Sequence, residues 1–223
     1  MKRLALFIIS YSLFIVCAAA QPMMRDVFAA MPDSVLPMVT KNNRLDCIDF
    51  IENNMEAKVR NVLDEWVTLE ALTSDYARLR TSASSLLELK LLPTSDSTSV
   101  LCVVTTAQMG EEGSALRLED SNLRFLNADW SSLPVDTLGR IDERVAASVA
   151  AYIREEPDTP SDAYHQAVRS LAGFHPRRMA PSPDDTSLTI TLQTAQLSKE
   201  EREAVSPQLQ PLRLSWNGKR FIR

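Results

Sequence analysis

The chain has two histidines, His165 and His175. His165 follows Asp162 by three positions, which puts both on one face of a helix. Such a pair can move a proton or supply half of a metal site. A solvent-facing histidine beside a capping acid is the plainer reading. His175 precedes Pro176 in a loop, and a metal site would need the two histidines to meet in space. Adjacent acid pairs include Glu111-Glu112, Glu119-Asp120, Asp142-Glu143, Glu155-Glu156, Asp184-Asp185 and Glu200-Glu201. Paired carboxylates do acid–base work when held across a cleft with separated pKa values. Adjacent residues point apart, so these pairs mark turns and solvated faces. Asp184-Asp185 lacks the spaced ligands of a calcium loop.

Several chemistries are excluded by motif. The glycines are Gly110, Gly113, Gly139, Gly173 and Gly218. No three lie close together, which rules out the phosphate cradle, the dinucleotide fingerprint and the G-x-S-x-G elbow. H-E-x-x-H and S-x-x-K are also absent. A hydroxyl nucleophile stays open, because triads assemble from distant positions. No cofactor and no metal are expected. Cys47 and Cys102 form no C-x-x-C motif and read as two buried thiols, with a disulfide as the alternative.

One cluster points to binding. Arg177, Arg178, Arg213, Lys219, Arg220 and Arg223 concentrate near the end of an otherwise acidic chain. They can form a docking face for an anionic glycan, a lipid headgroup or a partner protein. The alternative is charge that protects an edge strand. A polar tract, Asn42, Asn43, Arg44, Leu45 and Asp46, is either a recognition surface at a helix start or capping chemistry.

The elements that must position these residues begin after a leader. Lys2 and Arg3, an apolar run from Leu4 to Val16, and Ala18-Ala19-Ala20 form the pattern of a secretory signal cut before Gln21. The run is shorter than the about 20 residues of a spanning helix. Without Lys2 and Arg3, 22 basic residues face 29 acidic ones, a net charge of −7. An exported chain of that charge repels phosphate backbones, so nucleic acid is not an expected partner.

Helical spacing marks residues 24–31, a short piece at 34–39, and a helix with Leu45, Ile48, Ile51 and Met55 on one face, capped by Asn42 or Asn43. Strand alternation follows at Trp66–Leu72 and Tyr76–Thr81, and two further strands are expected at Leu86–Leu92 and Val100–Thr106, the last apolar on both faces and so central. Two short strands are expected around Leu116 to Leu118 and Leu123 to Phe125. Short turns between them imply antiparallel pairing. Leu138, Ile141, Val145, Val149 and Tyr152 make a helical stripe. A second helix starts at Thr159-Pro160-Ser161-Asp162 and stops at Gly173. Residues 176–185, with three prolines, read as a loop. A strand at Leu188–Leu192, a helix opened by the Ser198–Glu201 capping box, and a hairpin at Asn217-Gly218 complete the chain. That hairpin pairs Trp216 with Lys219 and puts Leu212, Leu214, Trp216 and Phe221 on one face.

The fold class is therefore α+β: an antiparallel β-sheet with helices packed on one side, N-terminal short helices and a C-terminal β-hairpin. The expected division is a signal at 1–20, a lobe at 21–128 and a lobe at 129–223, with one continuous domain over the last two as the alternative.

Several segments are familiar. M-R-D-V-F-A-A-M-P-D-S-V-L-P, T-K-N-N-R-L-D-C-I-D-F, L-E-L-K-L-L-P-T-S-D-S-T-S-V-L-C-V-V and the C-terminal L-x-W-N-G-K-R-F resemble an exported Bacteroidales family, domain of unknown function 3256. The resemblance implies an exported envelope protein, with no functional residues to carry over. The expected role is non-catalytic binding or assembly with an envelope protein, a glycan or another anionic ligand. The alternative is a secreted hydrolase assembled around His165 or His175.

Overall fold

Short turns join two alternating strands and two strands buried on both faces into the middle of a meander of six antiparallel strands. The computed structural model describes residues 21–96, 98–110, 117–134, 140–141, 146 and 148–223. The first sheet runs β1 (Lys58–Arg60), β2 (Trp66–Leu72), β3 (Tyr76–Ser82), β4 (Ser85–Pro93), β5 (Ser99–Met109) and β6 (Leu118–Asn127), paired in chain order. Helices α1 (Met24–Ala29) and α2 (Lys41–Glu52) precede it. The second sheet has the order β7 (Arg140–Ile141), β11 (Arg220–Ile222), β10 (Leu212–Trp216), β9 (Ser187–Leu192) and β8 (Arg177–Pro181), with β7 parallel to β11. Helix α3 (Asp162–Gly173) precedes β8, and α4 (Lys199–Val205) lies between β9 and β10.

The first sheet has a core on each face. Val67, Leu69, Ala77, Leu79, Leu87, Leu89, Leu91, Leu101 and Val103 pack with Met24, Val27 and Phe28 of α1 and Cys47 and Ile48 of α2. On the opposite face, Leu92, Val100, Cys102 and Val104 join Leu188, Ile190, Leu212, Leu214, Trp216 and Phe221 of the second sheet. Tyr164, Ala167 and Leu171 of α3 and Val205 of α4 complete that cluster. Each sheet thus buries one helix group against one face, as an antiparallel α+β fold requires. The second core draws residues from both sides of position 128.

Trp216 anchors this second core. Its ring stacks on Phe125 at 6.2 Å and meets Phe221 edge-on at 5.3 Å. Its indole N–H donates to the Pro93 carbonyl at 2.6 Å. The expected shared face of Leu212, Leu214, Trp216 and Phe221 is present, but the register differs. Trp216 pairs with Phe221 and Ser215 with Ile222. Asn217 N–H donates to the Arg220 carbonyl, so the tight turn is Gly218-Lys219, with only Gly218 at positive φ (92°). Asn217 instead uses its side-chain oxygen to accept from the Lys219 and Arg220 amides. The pairing slides by an even number of residues, which preserves the faces.

Other local expectations change. Thr40, not Asn42 or Asn43, caps α2; Asn43 is its reciprocal partner in a capping box. Residues 34–39 form turns with no helix. β6 is one continuous ten-residue strand. Residues 176–185 hold β8, where proline is tolerated because the strand is at a sheet edge and Pro181 ends it. The helical stripe of 133–152 is not continuous: Ile141 lies in β7, and Val149–Tyr152 is a 3-10 turn. Leu116, Leu138, Val145, Gly113, Gly139, the pairs Glu111-Glu112 and Asp142-Glu143, and the leader at 1–20 lie outside the described residues. Cys47 and Cys102 are free, buried thiols in the two different cores. Burial pushes the Cys47 thiol up to about 11 and raises Cys102 as well.

Candidate functional site: a ring of paired charges and a basic rim

β4 is buried on both faces, and its alternation decides what each face carries. Leu87, Leu89 and Leu91 face the helices, whereas Leu86, Glu88, Lys90 and Leu92 face the other way. Glu88 and Lys90 are each only 1% exposed. A charge so deeply buried needs partners. Lys90 Nζ lies 2.7 Å from Asp75 Oδ2 and donates to the Pro183 carbonyl at 3.2 Å. Glu88 accepts from the Tyr76 hydroxyl at 2.9 Å and from Arg178 of β8. Burial, then the Glu88 carboxylate, raises the Tyr76 phenol above its ordinary value.

These contacts extend into a closed ring. Arg178 Nε is 3.7 Å from Glu119 Oε2 on β6, and Glu119 Oε1 accepts from Gln108 Nε2 on β5 at 2.6 Å. Gln108 Oε1 accepts from Arg80 Nη1 at 3.2 Å. Arg80 Nε and Arg78 Nε of β3 donate to the two oxygens of Glu70 on β2, at 2.6 and 2.7 Å. Arg78 Nη1 closes the circuit 3.9 Å from Glu88 Oε1. Three arginines, three glutamates and one glutamine therefore alternate across β2 to β6 and β8. Arg117 reaches Glu119 from outside the ring at 3.6 Å. Charge-assisted bonds of this kind hold planar groups in fixed orientation.

On the same face of β2 as Glu70 lies Trp66, half-exposed at 48%. Its ring is held by two cations of β1, with Arg60 Cζ at 3.8 Å and Lys58 Nζ at 4.7 Å from the centroid.

The six basic residues expected to form one face separate. Arg178 is an inward member of the ring. Arg177 donates to the Ala146 carbonyl at 2.8 Å. Arg213, Lys219, Arg220 and Arg223 are exposed, with Arg213 and Arg220 on the side of their strands opposite buried Leu212, Leu214 and Phe221. Arg213 pairs with Asp185 at 2.5 Å. The carboxyl of Asp185 is held at about 2 chiefly by the Ser187 hydroxyl and amide, with a smaller contribution from Arg213.

His165 is exposed on α3 and touches the Tyr164 ring edge-on at 5.9 Å; no hydrogen bond joins it to Asp162. His175 lies after the end of α3, its Nδ1 buried without a partner. The polar tract at 42–46 is structural. Arg44 is 1% exposed and donates to Asp33 at 3.0 Å, to the Val39 carbonyl at 2.7 Å and to the Met31 carbonyl. Among the acid pairs, Glu119 and Asp120 do split across β6: Glu119 enters the ring while Asp120 accepts from the Arg177 amide at 3.2 Å. Glu201 serves the α4 capping box, and Glu155 and Glu156 are solvated. Among the described residues no group of three or more His, Cys, Asp or Glu side chains is placed to hold a metal, and no helix is long and apolar enough to cross a membrane.

Sequence reasoning missed the ring. Its one local signal is the pair of charges, Glu88 and Lys90, spaced by two inside the apolar run L-L-E-L-K-L-L. That spacing on a strand covered on both sides puts two ions on one buried face.

The architecture is that of a two-sheet α+β protein with charges at the seam between sheets. The chain belongs to the family described as Protein of unknown function (DUF3256), whose model matches residues 15–221. It is similar to a solved structure of a domain of an uncharacterized protein from Porphyromonas gingivalis W83, a member of the Bacteroidales. The identity is 27% and the TM-score 0.68, covering 91% of this chain and 98% of that one. No curated protein matches the chain.

Proposed function

We propose that this chain is an exported cell-envelope protein that binds an anionic partner without catalysing a reaction, and that Arg213, Lys219, Arg220 and Arg223 form the docking rim. The observation that carries this reading is the place of β7. It pairs with β11 at Arg220 and Phe221, so the edge that Arg220 would otherwise guard is already occupied. Charge on an open edge has a protective use, whereas charge beside a covered edge is available for a partner. The leader pattern supports export, and in a chain of net negative charge Lys219, Arg220 and Arg223 stand out, with Arg213 shared between the rim and Asp185.

The test is retention of the chain starting at Gln21 on a sulfated polysaccharide matrix. Elution should move to higher salt than for the variant with all four residues changed to Glu, because each phosphate- or sulfate-like contact adds to the salt dependence. Equal elution of the two proteins overturns the docking rim. N-terminal sequencing of exported material should begin at Gln21; a start at Met1 overturns export.

A further inference from the structure

The basic rim carries an acid of its own. The Trp216 amide donates to the Thr186 carbonyl at 3.1 Å, so Asp185 stands at the end of β10 where the Asn217–Arg220 turn begins. Arg213 reaches it from β10, with Nη2 2.5 Å from Asp185 Oδ2. The other carboxylate oxygen, Oδ1, accepts from the Ser187 amide at 2.8 Å and from the Ser187 hydroxyl at 2.6 Å. The Asp185 amide donates to the Ser182 hydroxyl at 3.3 Å. Asp185 is thus fixed by its own turn. Arg213 is 65% exposed, and its guanidinium has no second partner among the described residues.

Ile222 pairs with Ser215, so Arg223 follows at the level of Leu214, one position from Arg213. Four cations, Arg213, Lys219, Arg220 and Arg223, therefore surround the turn acids Asp184 and Asp185. Among the described residues, the pair of Arg213 with Asp185 is the one ion pair these six groups make. The rim keeps a net positive charge, but its Arg213 corner is neutralised. An exposed pair of this kind adds little to stability, so its partners exchange readily. It is still intramolecular, and a ligand with a single charge gains nothing lasting by trading places with Asp185. A chain of charges differs. Lys219, Arg220 and Arg223 hold part of it, which raises the effective concentration of the rest beside Arg213.

Resting on the reading of this rim as an anion-docking surface, we propose that Asp185 is its internal counter-ion. It holds Arg213 in the free protein and yields it when a polyanion docks. The rim thereby selects linear polymers with several charges over ligands with one.

The experiment is titration of fluorescent dextran sulfate with the chain starting at Gln21, repeated over a range of salt. Asp185→Asn keeps an Oδ1 acceptor for Ser187 and should tighten binding by about fivefold, the upper scale of an exposed ion pair. It should also steepen the salt dependence by about one released counter-ion. Asp184→Asn removes the same charge from the same turn and should change binding by less than about twofold, because no cation is freed. With Arg213→Gln in place, the gain from Asp185→Asn should fall to that from Asp184→Asn. Glucose 6-sulfate should not bind the parent at millimolar concentration. Three results overturn the counter-ion role and leave the rim in place: a gain from Asp185→Asn no larger than that from Asp184→Asn, a gain that survives Arg213→Gln, or millimolar binding of glucose 6-sulfate. Dextran sulfate bound equally by the parent and by the variant with all four cations changed to Glu overturns both the rim and its counter-ion.

Discussion

The two faces of the first sheet solve burial in opposite ways. The face under α1 and α2 is closed by aliphatic side chains from β2 to β5. The face under the second sheet is aliphatic near Leu92, Val100, Cys102 and Val104, and then turns ionic at Glu88, Lys90 and the ring. Neighbouring residues of one strand, Glu88 and Leu89, sit on the two faces with the same 1% exposure. On the helix side the inward residues of β2 to β5 are apolar, and the buried charge there, Arg44 of α2, is met by Asp33 and by the Met31 and Val39 carbonyls. A second sheet crossing the first brings an edge strand with unpaired polar groups, and β8 meets that need with ions and hydroxyls. Burial alone therefore does not decide composition; the covering element does.

Replacing Glu88 with Ala should produce the largest loss, about 3–5 kcal/mol in urea denaturation, because Arg178 loses its nearest carboxylate and the buried Tyr76 hydroxyl loses its acceptor. Joint replacement of Glu88 and Arg178 by Met should restore at least half of that loss, since an apolar pair can fill the space that a buried ion pair held. If the double variant is no more stable than Glu88→Ala, the ionic face is not replaceable in the way the helix face is. Leu89→Ala, on the other side of the same strand, should cost about 2–5 kcal/mol through its cavity. It should show no dependence on salt, in contrast to Glu88→Ala.

Smaller effects sharpen the comparison at its margins. Thr40→Ala removes the cap of α2 and should cost about 1 kcal/mol on the helix side. Asp185→Asn, at the turn between β8 and β9, should show its effect as a pH dependence. The Asp185 carboxyl is held at about 2 in the fold, below its ordinary value near 3.9. Its stabilisation is therefore complete above about pH 4 and is lost as pH falls toward 2. The gap between parent and variant in thermal melting should shrink over that window; a constant gap contradicts the role given to Ser187.

The aliphatic face was the more legible of the two. β2 and β3 follow from alternation and β4 and β5 from apolar runs between turn residues. α2 follows from its steps of three and four, but Leu45 and Met55 of the expected face are exposed, and Arg44 and Cys47 are buried beside Ile48. The second sheet was harder, for specific reasons. Pro176, Pro181 and Pro183 masked β8, because a strand at an edge needs fewer of its amides. β7 is two residues long and parallel to β11, so no local turn announces it. The hairpin turn read correctly as a turn but one position early, since Asn217 spent its side chain on capping instead of adopting positive φ. The ring joins positions 70 to 178, and contact over that distance has no trace in local pattern. The six cations looked like one patch because sequence proximity says nothing about which side of β8 faces the first sheet.

β8 meets the first sheet through side chains, not through a backbone ladder. The Met179 amide donates to the Ser121 hydroxyl at 2.9 Å, the Arg177 amide to Asp120, and the Glu119 amide to the Gln193 side chain at 3.3 Å. Side chains can rotate away where a ladder must be unzipped, so the sheets can part locally while each stays intact. Hydrogen exchange should register this as a joint: the Arg177 and Met179 amides should trade with solvent sooner than those of Val103 in the middle of β5. Equal protection would mean that the two sheets open only when the whole molecule does.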